Sequence, residues 1–358
     1  MEVELLAPPG QSREALADAV AARIGGRVER FFHPQSEPSK VPGKPTFENL
    51  TPGFRVLAAD GSRYASFVDD VTIKHTLDPR RPPLPGWYRI VSDDSRLLQL
   101  VAEHCDASAP LAKVLEPFAK LFGTPLDSDH GMFKVSDRRN VSIAIGAPMP
   151  GERERPCEIV TAPLATRQRE TLELLLSTAR AAGYALPREG ATHIHFDAAP
   201  LAHPVPFARL VKLLARHGPE LRRLLGTNPY CVRLGNWKPE LEQLVRHPEF
   251  AGLTWAEARA SLRLLELTKY CDFNLINLIE QNPQKLTFEV RILPASLDAG
   301  PILQAAALFE AILRWCVEPT DKRRSTPADL PRLFSQVLSK DDAKYWTQKY
   351  LEAQPSVT

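Results

Sequence analysis

No two cysteines of this chain stand at a C-x-x-C spacing, and the five present (Cys105, Cys157, Cys231, Cys271 and Cys316) are odd in number. That excludes a disulfide framework or a zinc knuckle as the organising device and reads as reduced thiols in a cytoplasmic protein. No basic-then-apolar leader opens the sequence, and no apolar run approaches the roughly 18 residues of a membrane span. Neither G-x-x-x-x-G-K-[ST] nor G-x-G-x-x-G occurs, so a P-loop or Rossmann nucleotide site is not expected. An excess of one charge is missing too. Lys+Arg 45 against Asp+Glu 43 leaves a formal +2, without the electrostatic footprint of a nucleic-acid or membrane partner.

What is present is an ordinary globular composition, 44% apolar and 25% charged over 358 residues, with ample chain for a core. The 33 prolines fall in connections, notably His33–Pro45 and 78–86, the first read as a loop. Ser12 caps an expected helix to Ile24 that Gly25-Gly26 stops, and further helices are expected over 96–104, 110–122, 166–182, 207–225, 238–246, 254–267, 300–317, 327–338 and 341–353. Arg27–Phe32, Phe54–Ala59, Tyr64–Ile73, Trp87–Val91, Asn140–Ile145 and Cys157–Leu164 read as strands, with Asp60-Gly61 as a hairpin turn and Asp69-Asp70 solvated. Hairpin strands apart from grouped helices predict an α+β fold with a mostly antiparallel sheet.

Three strands carry chemistry. In Lys285–Ile292 the apolar Leu286, Phe288, Val290 and Ile292 alternate with polar residues, placing Glu289 and Arg291 side by side on the other face. Thr192–Asp197 puts His193, His195 and Asp197 on one face, and Met1–Leu5 does the same with Glu2 and Glu4. Asp197 reads equally as a turn former after its strand. Carboxylates and imidazoles converging from several strands suit Mg²⁺ or Mn²⁺, with zinc an alternative. A neighbouring arginine is what phosphoryl chemistry uses to neutralise charge on the transferred group. Together they read as a metal–ATP site without a glycine-rich loop.

The order of Glu2-x-Glu4, Glu158-Ile-Val-Thr-Ala-Pro-Leu164, His193-Ile-His195 and Thr287-Phe-Glu-Val-Arg-Ile292 with Ser296-Leu-Asp298 resembles the amidoligase family of the glutamine synthetase/glutamate–cysteine ligase superfamily of carboxylate–amine ligases. Lys269-Tyr270 and Asn274-Leu275 resemble that family's [RK]-Y-x-x-x-N-L. The resemblance implies an antiparallel sheet curved around divalent ions and ATP, with Glu2, Glu4, Glu158, His193 and Glu289 holding metal. It implies His195 by the nucleotide or sharing the metal, Arg291 on the phosphoryl group, and Lys269 and Asn274 as cofactor or substrate contacts. It implies an acyl phosphate made from ATP and a small-molecule or peptide carboxylate, from which an amine displaces phosphate. On this reading 1–320 is the catalytic domain and 321–358 a helical extension. Two other readings stay open: a mononuclear metal-dependent oxygenase or hydrolase built on His-x-His, and a non-catalytic nucleotide- or peptide-binding relative.

Overall fold

The computed structural model describes residues 1–38, 46–281, 285–319 and 326–354. It divides into two compact units, Glu2–Glu189 and Gly190–Thr358, the latter together with Met1. Every strand pairing within them is antiparallel and helices flank the strands, which is the α+β architecture expected. In neither unit does the ladder close on itself, so the sheet is open and uncurled where the resemblance implies a curved one.

In the first unit, β1 (Glu2–Leu6) leads to α1 (Arg13–Ile24), whose ends are those read from the sequence. Ser12 Oγ accepts from Ala15 N–H at 3.2 Å, and Gly25 takes a left-handed φ of 64° that closes the helix. β2 (Arg27–Pro38) and β3 (Thr46–Leu57) then pair along their whole length. The predicted loop at 33–45 is therefore wrong as far as Pro38, and its remaining residues, 39–45, lie outside those described. Prolines at 34 and 38 are tolerated because, among the described residues, β2 pairs only with β3, so their missing N–H groups interrupt no second ladder.

β3 meets β4 (Arg63–Val68) through its second half and β5 (Tyr88–Ser92) through its first. Next come α2 (Ser95–His104), α3 (Leu111–Val114) and α4 (Glu116–Phe122). The last two replace one predicted helix, since Pro117 has no N–H to offer the carbonyl of Lys113. A hairpin absent from the sequence reading follows, β6 (Leu126–Asp129) and β7 (Met132–Ser136), turned by His130 and Gly131 at φ 46° and 77°. β8 (Ser142–Pro148), β9 (Pro156–Thr161) and α5 (Gln168–Ala181) complete the unit, whose ladder runs β1-β9-β4-β3-β5-β8-β7-β6. Its distal core sets Leu50, Ile90 and Val135 of the sheet against Leu98, Val101, Val114 and Phe118 of α2–α4. Each fully buried side chain of that size contributes about 1.5–3 kcal/mol.

The second unit pairs β10 (Ala191–Asp197) and β11 (Phe273–Asn274) with β12 (Thr287–Pro294). Around them lie α6 (Pro204–Leu225), α7 (Pro239–Arg246), α8 (Trp255–Arg263), α9 (Ile276–Ile279), α10 (Ala299–Val317), α11 (Leu330–Val337) and α12 (Lys340–Glu352). α10 is the one helix among the described residues long and apolar enough to cross a membrane. Glu310 and Arg314 interrupt it. Its Ile302, Leu308, Phe309 and Ile312 are buried within the unit, where it packs on α6, α11 and β10 as a core helix does. α11 and α12 belong to this unit, Phe334 meeting Trp346 with ring centroids 6.3 Å apart.

Among the described residues no disulfide forms, and four of the thiols are buried. Burial pushes the Cys271 thiol up to about 11 and the Cys316 thiol up to about 12, and raises Cys105 and Cys157 as well. Raised in this way, the buried Cys271 thiol stays largely protonated at pH 8. A thiol titration of the native protein at pH 8 is expected to find only the half-buried Cys231 reacting quickly. All five should react once the chain is denatured; rapid loss of two or more thiols in the native state would contradict the burial.

Candidate functional site

The acids of the first unit sit on β1 and β9. Alternation sends Val3 and Leu5 into the helix-covered core, each 0% exposed, and sends Glu2 and Glu4 the other way. The register sets Glu4 directly across from Glu158, and Glu2 across from Val160. Glu158 is half-buried and opposite in phase to Cys157 and Ile159, as the sequence indicates. Opposed residues of an antiparallel pair have Cβ atoms roughly 5 Å apart, and like charges there repel. Glu4 is also only 4% exposed, so water screens this pair poorly. A divalent cation is the group such oxygen donors accommodate.

In the second unit the chemistry gathers on one carboxylate. His195 faces Glu289 across β10–β12, and Asn274 faces Glu289 across β11–β12. Arg291 Nη1 donates to Glu289 Oε1 at 2.6 Å, and Asn274 Nδ2 donates to Oε2 at 2.7 Å. The imidazoles flank the same Oε1, His193 Nδ1 at 3.6 Å and His195 Nε2 at 3.9 Å. Glu289, 4% exposed, thus has two hydrogen-bond donors and two imidazoles around it. Its apolar neighbours Phe288, Val290 and Ile292 are all 0% exposed on the other face. There Phe288 stacks on Phe273, which meets Phe309 of α10 at 6.0 Å.

A bulge shapes the cluster. Thr192 pairs with Leu293 but Ile194 with Val290, so Arg291 and Ile292 together oppose the single His193. Bulges re-aim side chains and sharpen the local twist. That irregularity is what brings the guanidinium and the imidazole of His193 onto one carboxylate.

Smaller polar residues hold the carboxylate and the imidazole in place. Thr287 Oγ1 lies 3.2 Å from His195 Nδ1 and accepts from Asn277 Nδ2 at 3.1 Å. With two lone pairs it can also accept from a protonated Nδ1, the tautomer that leaves His195 Nε2 as the ligating nitrogen. Asn274 Oδ1 accepts from Ile276 N–H at 2.9 Å, which fixes the amide that holds Glu289. Asn274 therefore acts here as a support for Glu289. Lys269 is exposed, its ammonium 5.5 Å above the Tyr270 ring. Asp197 is the turn former, Oδ1 accepting from Ala199 N–H at 3.0 Å. Thr287 stood in the motif without a role and Asn277 went unnoticed, because a small polar residue gives no signal of its contacts until the register is known.

Asp69 corrects an expectation. It is 1% exposed rather than solvated and ion-paired with Arg153 through Oδ1, with Arg13 Nη1 at 3.8 Å. β4 ends at Val68, one residue earlier, and the turn carries Asp69 inward.

Carboxylate, imidazole and guanidinium groups thus stand close together on antiparallel strands. A family model described as "Putative amidoligase enzyme" matches residues 1–313. The chain belongs to that amidoligase family, which makes it a ligase by membership. Neither a curated protein nor a solved structure matches the chain.

Proposed function

We propose that this amidoligase is an ATP-dependent carboxylate–amine ligase with a catalytic sheet of the glutamine synthetase-like kind. The observation that supports it most is the Glu289 carboxylate, flanked by two imidazoles and hydrogen-bonded by the Arg291 guanidinium. ATP phosphorylates the substrate carboxylate, and an amine displaces phosphate from the acyl phosphate to give the amide. The acid is a small-molecule or peptide carboxylate.

The donor sets fit Mg²⁺ or Mn²⁺. Glu2, Glu4 and Glu158 would hold such an ion in the first unit, and His193 and Glu289, with His195 beside them, would do so in the second. When bound, the cation neutralises the triphosphate and makes the terminal phosphorus electrophilic. Glu289 orients Arg291, whose guanidinium carries five N–H donors in a fixed fork. That fork would meet the phosphoryl oxygens as charge builds on them. Asn274 and Thr287 keep the carboxylate and imidazole from swinging away.

A mononuclear oxygenase or hydrolase is the second reading, since two histidines and one carboxylate are a recognised iron or zinc set. Against it stands the Arg291 bond to the same carboxylate oxygen. Calorimetry separates the two. ATP is expected to bind in Mg²⁺ or Mn²⁺ and to lose at least about tenfold in affinity in EDTA, because acids that hold metal repel bare triphosphate. Equal ATP affinity with and without chelator would rule out the ligase reading.

A further inference from the structure

The bulge that gathers the cluster takes Arg291 out of register with β10, so its main chain is held from the other side of β12. There Phe273 pairs with Val290 and Asn274 with Glu289, and the next pair in the same register is Asp272 with Arg291. The Arg291 N–H donates to the Asp272 carbonyl at 3.0 Å. Asp272 stands in an unspecified position of Lys269-Tyr-Cys-Asp-Phe-Asn-Leu275, so the motif gives it no role.

β11 does not hold this position by length. It has two residues and ends the ladder, so among the described residues no further strand covers its outer edge. A bracket at 235–237 takes that place. The Asp272 N–H donates to the Gly235 carbonyl at 2.9 Å, and the Gly235 N–H donates back to Asp272 Oδ1 at 2.9 Å. Trp237 Nε1 donates to the Phe273 carbonyl at 2.6 Å. The last turn of α6 supplies a charge, with Arg222 Nη1 at 3.0 and 3.2 Å from the two Asp272 oxygens. Asp272 is 3% exposed, so water screens this pair little. One acid thus joins α6, the bracket and the main chain of Arg291.

We propose that Asp272 is a positioning residue: clamped by Arg222 and Gly235, it sets the main chain of Arg291 at the bulge, and with it the aim of the guanidinium at the phosphoryl group. This rests on the ligase reading. Asp272 lies outside the metal and nucleotide sets, so its loss is felt in turnover rather than in binding. Asn274 keeps its own support in the Ile276 N–H, so loss of the clamp falls on Arg291.

Asp272→Asn keeps an acceptor for Gly235 and removes the charge that Arg222 meets. Arg222→Gln breaks the pair from its half-buried side and leaves the acid in place. The assay is hydroxylamine-dependent phosphate release from MgATP, with a mixture of the common amino acids as the acids. Each variant is expected to lower kcat roughly tenfold, as a misdirected group does, with KM for MgATP within about twofold of wild type. Arg222→Lys should recover most of the loss. Acting through Arg291, Asp272→Asn should change kcat by less than about twofold in the Arg291→Lys background. Hydrogen exchange read by mass spectrometry is a measure apart from activity, and in Asp272→Asn the Arg291 amide should exchange roughly tenfold faster. Wild-type kcat in both variants, an undiminished loss beside Arg291→Lys, or a rise in KM for MgATP matching the fall in kcat overturns the proposal. So does unchanged exchange at Arg291. ATP binding that ignores Mg²⁺ in the wild type defeats the ligase reading instead, and faster exchange at Arg291 in Asp272→Asn would still uphold the clamp.

Discussion

Replacing Asp69 by alanine is expected to lower the stability of the first unit by about 3–5 kcal/mol, the cost of leaving buried cations without their anion. Arg13 is 0% exposed. Its Nε donates to the carbonyl of Pro52 at 3.2 Å, its Nη1 to those of Arg153 and Pro156, and its guanidinium lies 4.5 Å over the Trp87 ring. Burial lowers the Arg13 pKa to about 10, against the attraction of Asp69, so the guanidinium stays charged at neutral pH. Arg153 binds Asp69 together with the carbonyls of Asp70 and Ile73, and Gln35 donates to the carbonyl of Asp69. One carboxylate thus balances two guanidinium groups that tie α1, β2, β3 and the segment before β9. Urea unfolding followed by Trp87 fluorescence reads the loss. A change under about 1 kcal/mol would mean that water reaches the pair and screens it.

Asp69 shows where local reading of the chain fails. Asp-Asp after a strand carries the composition of a solvated turn, and nothing near it in sequence marks Arg13 or Arg153 as partners. Where the determinants are local the reading succeeds. Ser12 and Gly25 delimit α1, and strict alternation around Glu4, His195 and Glu289 assigns their faces. The length of β2 was hidden because proline usually argues against a strand, and only edge position makes it harmless. The cluster on Glu289 was legible as residue types in one pattern. Its closeness was not, because that depends on a bulge which adds one residue to β12 opposite His193. Asn274 was picked out with the role of a ligand contact, whereas its amide spans Glu289 Oε2 and the N–H of Ile276.

The Glu289–Arg291 pair gives the largest expected effect on activity and separates phosphoryl transfer from chemistry at an isolated metal. Glu289→Ala removes the carboxylate on which both imidazoles, Arg291 and Asn274 converge. On the ligase reading it weakens metal and ATP binding together. Arg291→Lys is the sharper variant. It keeps the positive charge and a donor for Glu289, but an ammonium cannot hold that carboxylate and reach a second oxygen in one plane as a guanidinium does. Metal and ATP binding should then stay within a few-fold of wild type while amine-dependent phosphate release falls by about 10²-fold or more, the scale of one lost transition-state donor. An oxygenase or hydrolase using His193 and His195 would draw on Arg291 only to steady Glu289, which lysine can do. Wild-type phosphate release in Arg291→Lys, with metal still bound, would therefore remove phosphoryl transfer from the role of Arg291 and leave the histidine-based reading in front.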